Sequence, residues 1–106
     1  MKKLLLFLST IIEILYATEN EKFDLKGTIS VTGKIKSEYA KLAKISLQES
    51  LVIATKSLPG QVIEAVLDQE EGYLIYEIEI ITTNQKIKEI IIDAGDGHVL
   101  LIKKEH

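Results

Sequence analysis

Two hydrophobic periods divide the chain at Pro59-Gly60. Before that point apolar residues recur at helical spacing. Leu47, Ser50, Leu51 and Ala54 fall at i, i+3, i+4 and i+7, and Leu58 continues the stripe. Ser46 and Glu49 stand as a capping box, each side chain able to satisfy a backbone donor at the helix start. The spacing predicts a helix from Ser46 to Ser57. Pro59 disfavours helical geometry in the residue before it, and Gly60 permits a turn, so the helix should end there.

After Gly60 the period falls to two. Four strands are predicted: Gln61–Gln69, Tyr73–Thr82, Lys86–Asp93 and His98–Lys103. In the second, Tyr76, Ile78 and Ile80 alternate with Glu77 and Glu79, the mark of one buried and one wetter face. Tyr73 and Tyr76 fall on opposite faces. In the third, Ile90 and Ile92 form the inward pair. Glu70-Glu71-Gly72, Thr83-Asn84-Gln85 and Gly95-Asp96-Gly97 supply the turns. Connections this short allow only antiparallel hairpins. The expected architecture is α+β: one helix laid on the apolar face of a four-stranded antiparallel meander, since neither can bury itself.

Upstream the pattern is weaker. Residues 18–44 read as an arm. They begin with a polar, frayed stretch over 18–26, then a short strand or extended piece over Gly27–Gly33, then a short helix over Ser37–Lys44. Residues 1–17 carry Lys2 and Lys3 ahead of an apolar run from Leu4 to Leu15, interrupted by Glu13 and followed by polar residues. That order is that of a secretory signal peptide, and the run is shorter than a membrane-spanning helix needs. Cleavage after Ala17 would send the product to the periplasm or the medium, with no membrane insertion once the signal is removed.

Composition narrows the function. The chain has 106 residues, which suits a single domain. The formal charge is −3 and all the basic residues are lysine, so a nucleic-acid partner is not expected. Without cysteine there is no disulfide, thiolate ligand or cysteine nucleophile. No nucleophile elbow, P-loop or zincin motif is present, and neither catalysis nor a cofactor is expected. Asp93, Asp96 and His98 surround one turn. Counted from Asp93, however, the calcium-loop positions for glycine and glutamate hold His98 and Lys104, so turn chemistry explains them better. His98 and His106 are too few for a catalytic zinc site.

The stretch 45–104 resembles the PepSY domain family. The resemblance is carried by Lys44-Ile45-Ser46, Glu49 and Ala54 in the helix, Leu58-Pro59-Gly60, Val62-Ile63-Glu64-Ala65 and Gly72. It continues in Tyr76-Glu77-Ile78, Ile92-Asp93-Ala94 and Gly97-His98-Val99-Leu100. The turn between strands two and three lacks the family's usual glycine. The resemblance implies a non-enzymatic, exported, protein-binding domain acting as an inhibitor or modulator of a peptidase, with an envelope or secreted peptidase or a membrane protein as partner. A small-ligand or cation-binding envelope sensor is the alternative. Tyr73, Glu77 and Glu79 are the candidate partner-binding residues, Tyr73 as an exposed anchor beside a turn; the ordinary role of the two glutamates is cross-strand pairing with lysines on strand three. The sheet edges are a second candidate, since an edge can accept an extended peptide, and Lys103-Lys104 would guard the last one.

Overall fold

The computed structural model describes residues 25–104; the expected signal and the polar stretch over 18–24 lie outside them. A short 3-10 turn (Lys36–Glu38) runs into helix α1 (Tyr39–Leu42), and α2 spans Leu47–Ser57. The strands follow as β1 (Gly60–Glu70), β2 (Tyr73–Thr82), β3 (Ile87–Asp93) and β4 (Val99–Lys104), in sheet order β1-β2-β3-β4 with every pairing antiparallel. The α+β meander is as expected, with bounds shifted by a residue or so. The short helix expected over Ser37–Lys44 is divided into the 3-10 turn and the single turn of α1.

The start of α2 follows directly from Ser46 and Glu49. The Glu49 N–H donates to Ser46 Oγ at 3.0 Å, and the Ser46 N–H donates to Glu49 Oε1 at 2.7 Å. The helix lies close to the sheet because its contact residues are small. Ser50 and Ala54 are fully buried, and the Ser50 hydroxyl is satisfied by donating to the Leu47 carbonyl at 2.6 Å. Leu47, expected in the buried stripe, is 43% exposed; it is the first residue of α2 and borders an open groove. Leu58 leaves helical geometry, as a residue before proline does.

The main core lies between α2 and the inner sheet face. Leu74, Ile78, Ile80, Ile90 and Ile92 are completely buried there, with Tyr76 and Ala54. β1 and β2 are joined by Glu71 and Gly72, both at positive φ (52° and 85°), the geometry that a two-residue hairpin requires. Glu71 takes this conformation where glycine is commoner. Gln85 does the same at φ 64° in the next turn, which is closed by the Thr82 hydroxyl: it donates to Asn84 Oδ1 and accepts from the Lys86 N–H.

A second cluster covers part of the outer face. Ile75 and Ile91 are completely buried, with Leu25, Leu100 and Leu101 against them. A register shift between Ile91 and Ile92 inserts an extra residue in β4, which brings both Leu100 and Leu101 to this side. Leu25, expected in a frayed stretch, is therefore buried. From it the arm runs past the end of β3 and along β2. The Leu74 N–H donates to the Ile29 carbonyl at 2.9 Å, the Val31 N–H donates to the Gly72 carbonyl at 2.9 Å, and Ser30 bridges Tyr73. The arm is an extended tie rather than a strand, and Val31 and Tyr39 deliver it into the inner core.

Candidate partner-binding surface

The turn after β3 is built from its own polar groups and one from the arm. The Asp93 carboxylate is buried; its Oδ1 accepts from the Thr28 hydroxyl at 3.0 Å and from the Gly95 N–H at 2.9 Å. Gly95 is required here, since a Cβ would collide with Thr28 Oγ1. Asp96 accepts from the His98 N–H at 3.0 Å, and that bond, first among the causes, holds its carboxyl below the ordinary range. His98 Nδ1 lies 3.4 Å from Asp96 Oδ2 in solvent. The acidic groups around this turn are therefore occupied in shaping it. Among the described residues no group of three or more metal-ligating side chains converges. His106 lies outside them.

Tyr73, Glu77 and Glu79 share the outer sheet face but not the surroundings expected for them. Tyr73 is half-buried, with Gly27 packed so close to its Cβ that a side chain there would meet it at 2.9 Å. It is held by the arm rather than displayed. Glu77 stands between Val66 and Ile91, and Glu79 between Glu64 and Glu89. The lysines of β3 do not face them: Lys88 pairs with Ile80 on the opposite side. The expected cross-strand pairing of Glu77 and Glu79 with β3 lysines is thus corrected. The row across the sheet reads Glu64, Glu79, Glu89, Lys103, and Lys103 Nζ is 4.0 Å from Glu89 Oε1. Glu64, Val66, Glu77, Glu79 and Glu89 line a shallow depression of about 240 Å³.

A larger groove, about 590 Å³, opens on the inner side of β1. Ala40 and Ala43 from α1, Ile45, and Ala65 and Leu67 from β1 form its walls, with Lys44 and Glu49 at its rim. It exists because these positions carry alanine where a larger side chain would close the gap. At its base the Tyr76 hydroxyl donates to the Ile45 carbonyl at 2.8 Å. Burial, and secondarily the Glu49 carboxylate, push the Tyr76 phenol above its ordinary value of 10.0. Periodicity did not disclose this groove. The absence of lysine between Lys56 and Lys86, where six acidic residues occur, marks the other face of the hairpin, since none of those six lines the groove.

Comparisons with known proteins place the chain in a family. The sequence profile described as PepSY, "Peptidase propeptide and YPEB domain", matches residues 44–103, which is α2, the sheet and the lead-in to both. The chain is 32% identical over 91 residues to the uncharacterized protein YkoJ of Bacillus subtilis (strain 168). That alignment covers 83% of this chain and 54% of YkoJ, so the chain spans about half the length of that relative. No solved structure gives a significant match. With more than half of its residues inside the profile, the chain belongs to the PepSY family.

Proposed function

We propose that this domain is a non-enzymatic protein-binding module that modulates a peptidase outside the cytoplasm. The observation that carries the reading is the match over residues 44–103 to a family named for peptidase propeptides. Two features are consistent with it. Asp93 and Asp96 are committed to turn bonds, and the larger groove is open and bordered by an uncovered strand. Export rests on the charged and apolar pattern of residues 1–17, and no helix among the described residues is long and apolar enough to cross a membrane.

The test is capture followed by titration. The immobilised protein is exposed to envelope and secreted fractions of its source organism, beside a charge-matched control. The expected result is a retained peptidase whose activity changes saturably as the domain is added. Retention of no peptidase, or a retained peptidase indifferent to the domain, overturns the modulator reading. Amino-terminal sequencing of the exported protein tests the signal, with a start at Thr18 expected.

A further inference from the structure

The sheet has two edges, and they differ. β4 is six residues long and ends in Lys103-Lys104, a common guard against unwanted pairing. β1 has eleven residues and contains neither lysine nor proline. Its first part is kinked by a register shift between Val62 and Glu64, but from Glu64 to Glu70 the pairing with β2 is continuous. The two-residue turn makes Glu70 and Tyr73 the last hydrogen-bonded pair of that ladder. Counting back by twos, Asp68 and Val66 also bond to β2. The N–H and C=O groups of Ala65, Leu67 and Gln69 then point away from the sheet. No backbone hydrogen bond outside the sheet reaches them among the described residues, but the Gln69 N–H donates to the Asp68 carboxylate at 2.8 Å, so the open outward donors are those of Ala65 and Leu67.

We propose that this stretch of edge, Ala65 to Gln69, is a strand-addition site for an extended segment in which apolar and basic residues alternate. The proposal rests on the protein-binding reading above and names its surface and the chemistry of its partner. An added strand would lie about 4.8 Å beyond β1 with side chains on alternate faces. On the inner side they meet the groove walled by Ala40, Ala43, Ala65 and Leu67, which has room for modest apolar side chains. On the outer side they run beside Glu64, Asp68 and Glu70, which share that face. Because the hairpin contains acidic residues and no lysine, the charge of the outward positions is specified as basic. The same argument disfavours a second copy of this chain paired β1 to β1, which would set carboxylates against carboxylates. Pairing β1 of one copy to β4 of another is weakened because Lys103 already faces Glu89 within its own chain.

The probe is a labelled peptide of about eight residues, lysine alternating with valine, titrated into the full chain by fluorescence anisotropy. One control groups the lysines and valines; another replaces lysine with glutamate. The expected result is saturable binding of the alternating basic peptide alone, weakening as salt rises. Amide exchange should slow at Ala65 and Leu67 on binding, with less change at Gln69, whose N–H already donates to Asp68, and little at Val66 and Asp68, which the sheet protects. Replacing Glu64→Lys and Asp68→Lys together should weaken binding by about tenfold, from two reversed cross-strand pairs. Ala65→Pro should abolish it by removing an outward donor, a substitution that edge strands tolerate. Unchanged melting curves show that both variants fold, and the charge reversal alone suffices if the proline variant does not.

Equal binding of the grouped peptide, an unmoved affinity in the charge-reversed protein, or exchange protection elsewhere overturns the proposal. So does concentration-dependent self-association protecting the same amides, which would make the occupant a second copy. If the peptide fails while a captured peptidase still responds to the domain, only this edge is wrong. If the peptide binds while no peptidase responds, the edge stands and the modulator reading falls.

Discussion

The two faces of the sheet bury comparable isoleucines by different means. On the inner face Ile78, Ile80, Ile90 and Ile92 lie beneath a capped helix whose small contact residues bring it close. On the outer face Ile75 and Ile91 are equally buried, but the described cover is Leu25, on an arm without regular structure, and the Leu100–Leu101 pair that the β4 bulge turns outward. The inner face is a core in the ordinary sense. The outer face depends on a tie, and its other half carries carboxylates in place of apolar side chains. Burial alone therefore does not say how firmly a residue is held; what covers it does.

The largest effect that would break this comparison comes from truncating one isoleucine on each face. Ile78→Ala leaves a hole walled by a helix and two strands, and should cost about 3–4 kcal/mol. Ile91→Ala leaves one that an unstructured arm can settle into, and should cost about 2–3 kcal/mol. Denaturant melts of both variants measure the difference. A cost below about 1 kcal/mol for Ile91→Ala would mean that the outer cover is only loosely seated.

The sequence showed the inner face better than the outer one, for a physical reason. Alternation in β2 separates Tyr76, Ile78 and Ile80 from Glu77 and Glu79, and the capping box marks the helix start to the residue. The outer cluster breaks no pattern that could announce it. Ile91 sits inside the run Ile90-Ile91-Ile92, where period two vanishes, and Leu25 stands between Asp24 and Lys26 in a stretch too short to show a period. The bulge that turns Leu100 outward follows from pairing, not from local propensity. Register also decides the surroundings of the β2 glutamates, which alternation alone does not. Lys88 and Glu89 are adjacent in sequence, and a shift of one residue decides which of them faces Glu79. The groove beside β1 depends on alanines from two separate elements, a coincidence in space that no single window contains.

A smaller effect tests the tie itself. The Asp93 carboxylate joins the arm, through Thr28, to the turn, through Gly95. Asp93→Ala removes both bonds and should cost about 2 kcal/mol, since hydrogen bonds to a charged group exceed neutral ones. Thr28→Val removes one and should cost about 1 kcal/mol. The informative readout is local. Exchange of the Leu74 amide, which donates to Ile29 in the arm, should speed up more than global stability falls in either variant. If Leu74 and the inner strands accelerate together, the arm is part of one cooperative unit and the contrast between the faces is weaker than drawn.

The smallest effect belongs to Tyr76, which reaches from the inner face to the loop before α2. Tyr76→Phe removes the bond to the Ile45 carbonyl and should cost about 1 kcal/mol. Its pH dependence has a definite sign. Burial, and then Glu49, raise the phenol in the folded protein above 10.0, while the unfolded chain ionises near that value. The unfolded state therefore loses its proton first. The preference for a neutral phenol favours folding fully below pH 10, and that contribution is lost as pH rises above 10 through the folded value. Comparing melts from about pH 8 to about pH 11, the alkaline decline should be shallower in Tyr76→Phe than in the parent protein. Lysine titration contributes to both proteins and cancels in that difference. An identical decline would show that the phenol is reached by water through the open groove, and that Tyr76 belongs to the binding surface more than to the core.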